Sequence, residues 1–383
     1  MRKTALLFFG LVTVAIVALG LVVLSSASGA NGLRLHKDAY FFMKRQFVYL
    51  AVGLIVCTVT ALVDYRIWRR QAWLLWTLFG ITILLLLAVF PPIGRAINGS
   101  YRWINLGFFN LQPSELAKLV TVLVVAFLVN RAAWRVDLFS HGALPAYLCV
   151  GALALPVLFE PDFGSTLVIG LVAVLVMYVG GIKIMHFLPL GFLGFGGLVY
   201  RVIENPNRMA RIAAWMGVKM SIGTQVADAA AKNAEYQGDM ALAAIGNGGL
   251  WGVGLNQSMQ KHYYLPEAHT DMIFAIGAEE LGIIFSVGTL LLFCLFFAFS
   301  IHIARKASDP FGRLLVVGMA FVIFFAAIFN IGVVCEALPM KGMALPFFSY
   351  GGTNMISAFF AVGTILSVGI HSYRDRKRKL MHG

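Results

Sequence analysis

Ten separate runs of apolar residues, each near the length that crosses a bilayer, govern what this chain can become. A spanning helix needs about 20 such residues. The runs occupy 4–26, 46–63, 72–90, 113–130, 143–159, 164–180, 186–203, 271–301, 314–335 and 353–371. The eighth is long enough to tilt or to project from the bilayer. Composition closes the alternatives, since 60% of the 383 residues are hydrophobic, 12% are charged and 31 are Phe. A soluble fold of this size still leaves about a quarter of its unfolded surface in water. A cytosolic enzyme, a nucleic-acid binder and a disordered protein are therefore excluded. The chain reads as an all-α polytopic membrane protein with ten transmembrane helices in a single membrane domain, 1–383. Residues 1–30 mimic a signal peptide, with Arg2–Lys3 ahead and Ser28-Gly29-Ala30 behind. Their apolar stretch, about 20 residues, is too long for a cleaved leader and reads as the first helix.

The net charge of +13, from 30 Lys and Arg against 17 Asp and Glu, reads as basic loops facing anionic lipid. With the N-terminus inside, the short outer loops hold seven cations: Arg34, Lys37, Lys44, Arg45, Arg95, Arg102 and Lys341. The inner segments hold sixteen, from Arg2 and Lys3 to the tail at Arg374–Lys379. That asymmetry places both termini in the cytoplasm. Cys57, Cys149 and Cys294 lie in apolar runs and Cys335 ends one, without CxxC or metal spacing, so packing is their role.

Three outer segments then stand out: a Gly- and aromatic-rich loop at 91–112, a long extracytoplasmic loop at 204–270 between the seventh and eighth helices, and 336–352, with Pro339 and Pro346. Long structured loops are usually functional. In the long loop Met209, Ile212, Met216 and Met220 recur at helical spacing, with Arg208, Arg211 and Lys219 off that face. A short helix is expected there, either in the outer interface or packed on the bundle. No internal repeat suggests an inverted-repeat transporter, and no GxxxxGK[ST] suggests an ATP-driven pump.

Charges within apolar runs are costly unless paired or wet. Glu115 and Lys118 lie three apart on one helix face and can pair, either to hold the bundle or to face substrate. Pro113 and Ser114 before them mark a helix start. Glu279 and Glu280 lie about 12 Å along the eighth helix at 1.5 Å per residue, as buried structural acids. Asp271 stands where the long loop enters the bilayer; it can cap the helix, or take a proton from a sugar hydroxyl. Asp162 can cap another outer helix start. Lys341 can meet a phosphate or snorkel, and Arg45 and Arg102 are outer cations of the same kind. His262 and His269 are too few and too badly spaced for zinc.

Five segments in order, Gly99-Ser-Tyr-Arg-Trp-Ile-Asn-Leu-Gly107, Gln112-Pro-Ser-Glu-Leu-Ala-Lys118, Pro161-Asp-Phe-Gly164, Leu265-Pro-Glu-Ala-His-Thr-Asp271 and Leu345-Pro-Phe-Phe-Ser-Tyr-Gly-Gly352, resemble the SEDS family (shape, elongation, division and sporulation). Glu160 before Pro161, the run Gln260–His269 and Lys341-Gly342 resemble its division branch, FtsW, more than its elongation branch, RodA. The resemblance implies a ten-helix, inverting peptidoglycan glycosyltransferase that polymerises lipid II at the division septum of a bacterial inner membrane. It implies Asp271 as the essential carboxylate, with Arg102, Glu115, Lys118 and Asp162 in the polar cavity. Arg45, His269 and Lys341 complete the expected substrate-binding set. It also implies a class B penicillin-binding protein and other division proteins as partners, and a divalent cation, Mg or Mn, with no organic cofactor and no nucleic acid. Tyr101, Met272 and the Ala-rich 227–234 depart from the family pattern.

Chemistry and resemblance converge. A donor with a polyprenyl tail, a pyrophosphate and two sugars needs an apolar groove, cations and an outer base, and inversion by a single displacement needs one base. The rivals are a lipid II flippase, for which an outer-edge base has little use, a recruiting scaffold, which has no need of costly intramembrane charges, and an elongation polymerase of the RodA kind.

Overall fold

The computed structural model describes residues 3–90, 95–97, 100–107, 109–132, 135–136, 138–160, 162–204, 206–216, 225–262, 265–339 and 341–382. Of the residues singled out above, Arg2, Gly99, Pro161, Lys219, Met220, Tyr263, Tyr264 and Met340 lie outside this set.

Every apolar run falls on a helix. In chain order these are α1 (Lys3–His36), α2 (Phe41–Leu62), the short α3 (Ile67–Arg70), α4 (Ala72–Ala88), α5 (Pro113–Arg131), α6 (Leu144–Phe159), α7 (Phe163–Val179), α8 (Phe187–Ile203), α9 (Pro206–Trp215), α10 (Gln225–Gly248), α11 (Ile273–Arg305), α12 (Pro310–Val334) and α13 (Gly352–His382). Among the described residues seven helices are long and apolar enough to cross a membrane, and α4 and α7 are shorter apolar helices. The protein is an all-α polytopic membrane protein. Helix α1 outruns its apolar stretch to His36, and α13 continues through the basic tail to His382.

Helix α5 is the axis of the bundle. It starts at Pro113, whose missing N–H costs nothing at a first turn, and carries Val, Leu and Ala on all sides, the pattern of a helix buried all round. Helices α4, α6, α7, α12 and α13 pack against it. Small residues allow the close approaches. A Cβ on Gly318 of α12 would lie 2.5 Å from Val122, and one on Gly53 of α2 would lie 2.5 Å from the Phe359 ring of α13. Helix α1 lies along α11, with the rings of Phe9 and Phe296 5.1 Å apart.

Two outer segments correct the sequence reading. The loop expected at 91–112 holds a three-stranded antiparallel sheet, β1 (Arg95–Ile97), β2 (Ser100–Asn105) and β3 (Asn110–Leu111), in that order. Strand β2 is a short aromatic and β-branched run. It turns at Gly107 (φ +84°), where Asn105 Oδ1 accepts the Gly107 N–H at 2.8 Å. The long 204–270 segment is largely helical, because its Ala-rich stretch favours α10. Helix α9, the short helix expected there, packs on α10 and buries Ala210 and Ala213, while Met216 is 63% exposed. The alanines therefore form the face that packs on α10.

At the inner end one clamp ties three helices. The Arg66 guanidinium, between α2 and α3, reaches Asp309 at 3.0 Å and Ser308 at 2.7 Å, and pairs with Asp375 of α13. Tyr65 donates to Asp309 at 2.7 Å. Asp309 also caps α12 by accepting the Gly312 N–H at 2.8 Å. Burial would raise the Asp309 pKa, but the Gly312 N–H, Tyr65 and Arg66 hold it below the usual carboxylate range.

Candidate active site

The N-terminal ends of α5, α7 and α11, strand β2 and the loop 341–350 converge on a cluster of charges around Asp271. Helix α11 begins at Ile273 with Met272 as its N-cap and no side-chain cap bond, so Asp271 is not the cap. Its backbone is held instead: Asn330 Nδ2 donates to the Asp271 carbonyl at 2.7 Å and to the Met343 carbonyl at 2.6 Å. Ser349 Oγ donates to the Thr270 carbonyl at 2.7 Å, and the Tyr350 N–H reaches the His269 carbonyl at 3.0 Å. These bonds clamp 269–271 against the loop 343–350 and leave the Asp271 side chain to the site. A Cβ on Gly342 would lie 2.1 Å from Asp271 Oδ2, so the loop crosses the carboxylate only because residue 342 has no side chain.

Burial, Glu267 and Asp162 push the Asp271 carboxyl up to about 7, against the pull of Arg102. Asp162 does cap its helix, accepting the Ser165 N–H at 3.3 Å, and it belongs to the cluster as well. Burial would raise its pKa, but Lys341, Arg102 and the Ser165 contacts lower it. The Lys341 ammonium lies 5.1 Å over the Phe163 ring, at the start of α7, so it faces the site and does not snorkel. Arg102 lies in β2 and donates to the Glu160 carbonyl at 3.4 Å. Glu160 is itself pushed up to about 8 by burial and by Asp162, against Arg102.

Beneath lies the pair foreseen from spacing: Lys118 Nζ sits 2.7 Å from Glu115 Oε1, both buried. Ser357 Oγ donates to Glu115 at 3.4 Å. Ser114 Oγ and Gln112 Nε2 donate to Asp162 Oδ2 at 3.3 and 3.4 Å, a polar chain from the helix start to the outer cluster. Two expected residues stand apart. Arg45 is exposed on α2, 4.6 Å over the Phe41 ring. His269 packs in a wall with Phe42 at 4.6 Å and hydrogen-bonds Asn31 at 3.2 Å, its pKa lowered by burial. The sequence reading missed Asn330 and Ser349 as the clamp. A lone Asn in an apolar run was a usable signal for the first; the second lies in the quoted Leu345–Gly352 segment, which did not single it out.

A family model described as "Cell cycle protein", FTSW_RODA_SPOVE, matches residues 6–374. The chain belongs to the FtsW/RodA/SpoVE family. Among its relatives, the "Probable peptidoglycan glycosyltransferase FtsW" of Trichlorobacter lovleyi is 35% identical over 361 residues, covering 94% of this chain and 91% of the relative. The protein of the same name from Coxiella burnetii is 37% identical, with 93% and 94% covered. "Stage V sporulation protein E" of Bacillus subtilis is 35% identical, with 94% and 96% covered. Among solved structures, a chain from "Structural coordination of polymerization and crosslinking by a peptidoglycan synthase complex" superposes with a TM-score of 0.76 at 28% identity, covering 96% of this chain and 98% of that one. The Rod shape determining protein RodA of Thermus thermophilus gives 0.66 at 29% identity, with 95% and 96% covered.

In this FtsW/RodA/SpoVE chain, then, Asp271 and Glu160 are both raised, to about 7 and about 8, beside the Arg102 and Lys341 cations. A base with a pKa near the working pH transfers protons most effectively. Among the described residues no three Asp, Glu, His or Cys side chains meet closely enough to hold a metal ion. The donor set therefore does not form a resident metal centre, and no step is derived through one.

Proposed function

We propose that this family member is a peptidoglycan glycosyltransferase that polymerises lipid II on the outer face of the bacterial inner membrane. The observation that carries this is Asp271: half-buried just before the start of α11, crossed by Gly342, raised to about 7 and not used as a cap. The 4-hydroxyl of an acceptor GlcNAc attacks the anomeric carbon of the donor MurNAc, and Asp271 takes the hydroxyl proton. The bond from that carbon to the pyrophosphate oxygen breaks, and undecaprenyl pyrophosphate leaves with the electron pair. One displacement inverts an α-linked donor to a β-linked product, which requires one base and no covalent intermediate. Arg102 and Lys341 are placed to meet the leaving phosphates as fixed charges. Mg²⁺ or Mn²⁺ would come with the substrate's phosphates rather than sit in a site built by the protein, and would supply further charge neutralisation there. Glu115 and Lys118 set the field beneath, and Arg45 and His269 act at the margin of the site.

The rest of the reading goes with this: ten crossings, both termini in the cytoplasm, the 204–270 segment outside, and action at the septum beside a class B penicillin-binding protein and other division proteins. A pure flippase has no need of an outer-edge base. The test is polymerisation of purified lipid II by the protein with its partner, wild type against Asp271→Asn. A variant that folds and polymerises near the wild-type rate would overturn the mechanism. Topology is tested separately with an impermeant thiol reagent: Lys232→Cys should label from outside and Lys377→Cys should not.

A further inference from the structure

The stretch 249–261 carries nothing that the reaction above uses, yet it is built with care. Helix α11 is broken at Gly282 (φ 71°, ψ −165°). The carbonyls freed by the break are taken by this stretch: Val253 N–H donates to Glu279 O and Gly254 N–H to Glu280 O, each at 3.0 Å, while Ile283 N–H donates to Gly249 O at 2.9 Å. The fit depends on glycine, since a Cβ on Gly252 would lie 2.1 Å from the Glu280 carbonyl oxygen. Behind it, Lys261 Nζ reaches Glu280 at 2.9 Å, Asn256 at 2.7 Å and Ser26 of α1 at 2.9 Å. Glu279 accepts from the backbone N–H groups of Met259 and Gln260 at 3.3 and 3.4 Å, and from Ser258 Oγ. In front, Trp251 is 80% exposed, Leu250 65% and Leu255 51%.

The level of this feature follows from two helices independently. From Gly282 to Arg305, the end of α11, is 305 − 282 = 23 residues, about 34 Å at 1.5 Å each. From Lys3 to Ser26 on α1 is 26 − 3 = 23 residues, about the same length. Each matches a hydrocarbon core of about 30 Å, and Ser26 hydrogen-bonds Glu280 at 2.6 Å. The break at Gly282 therefore marks the outer edge of the membrane.

We infer that residues 249–255 form a foot that rests in the outer leaflet, with Leu250, Trp251 and Leu255 among the acyl chains and glycerol groups of phospholipid. The foot continues the apolar face of α11 at Ile283 and Ile284, which are 50% and 55% exposed. Trp is favoured at this boundary, where one edge of its ring is wet and the rest apolar. Irregular backbone is tolerated at such depth only when its polar groups are satisfied, as the bonds to Glu279 and Glu280 provide. The buried Lys261–Glu280 pair fastens the foot to α1 and α11. The inference rests on the multi-pass fold and stands apart from the polymerase reading.

The test uses the full chain with Cys57, Cys149, Cys294 and Cys335 replaced, in phosphatidylethanolamine–phosphatidylglycerol nanodiscs without a partner. A nitroxide is attached at Trp251→Cys, with Leu255→Cys as the second position. Oxygen should collide with either label several-fold more often, relative to a water-soluble nickel chelate, than at Lys232→Cys, matching the lipid-facing Leu291→Cys. A ratio like that at Lys232 places the foot in water and overturns the proposal. Shielding from both reagents means that protein covers the foot and also overturns it. Oxygen access should persist when the class B penicillin-binding protein is added; its loss would assign the surface to the partner's helix instead.

Discussion

The outer and inner ends of the bundle both gather charges, and they treat them in opposite ways. At the inner clamp Asp309 is capped, paired and hydrogen-bonded until its pKa falls. At the outer cluster Asp271 and Glu160 are buried beside other acids until theirs rise to about 7 and 8. Inner charges are satisfied in the resting protein, so their contribution is to stability. In the cluster around Asp271, Asp162 is likewise capped and lowered, but Asp271 and Glu160 are held in a state that a substrate can improve, and perturbed carboxylates of that kind mark reactive sites.

The sharpest way to break this contrast is Asp271→Asn. The variant should fold and reach the membrane, since no cap is lost, yet polymerise lipid II about a hundredfold more slowly or worse. Next is the buried pair between the two ends. Lys118→Ala leaves Glu115 uncompensated and should cost about 3–5 kcal/mol in thermal or denaturant unfolding. Glu115→Gln with Lys118→Met should restore folding without polymerisation, and full activity in that double variant would reduce the pair to scaffolding. At the inner end Arg66→Met should cost about 1–3 kcal/mol, between a surface and a buried pair, while the rate per folded molecule stays at the wild-type value.

The smallest effects are in pH. The Asp309 pKa is lowered by folding, so its stabilisation is present above the ordinary carboxylate pKa of about 4 and is lost as pH falls below it. The Asp271 pKa is raised, so the folded state holds a proton that the unfolded chain has released. Its contribution therefore falls as pH climbs from about 4 to about 7 and then levels. Polymerisation should rise over pH 6–8 with a midpoint near 7. Arg102→Gln should move that midpoint up and Asp162→Asn down, each by about one unit or less. Shifts in the reverse directions would undo the electrostatic account.

Local pattern carried much of this. Apolar runs located the helices, and a three-residue spacing found Glu115–Lys118, because both are statements about one helix. The motif around Asp271 singled out that carboxylate, but only the structure separated it from a cap, since the chain alone does not say that Met272 takes that position. Contacts between distant segments were illegible. Lys261 and Glu280 are 19 residues apart, one in the loop before α11 and the other within that helix, and Arg66 meets Asp309 and Asp375 from 243 and 309 residues away. The Ala-rich 227–234 was legible only as a departure from the family pattern, not as the helix α10, and α9 packs on α10 through Ala210 and Ala213, which the spacing of its large side chains did not single out.

Gly342 gives the site a particular vulnerability. The seat of the Asp271 carboxylate is defined by an atom that residue 342 lacks, and one methyl there would collide with the end of a short side chain that can rotate aside. Gly342→Ala should therefore turn Asp271 away while the clamp from Asn330 and Ser349 keeps the backbone in place. Such a chain would insert, engage its partners and occupy their sites without turning over. In a cell carrying both copies, that substitution would act as a poison, and a single missing carbon is all that separates the working protein from its own competitor.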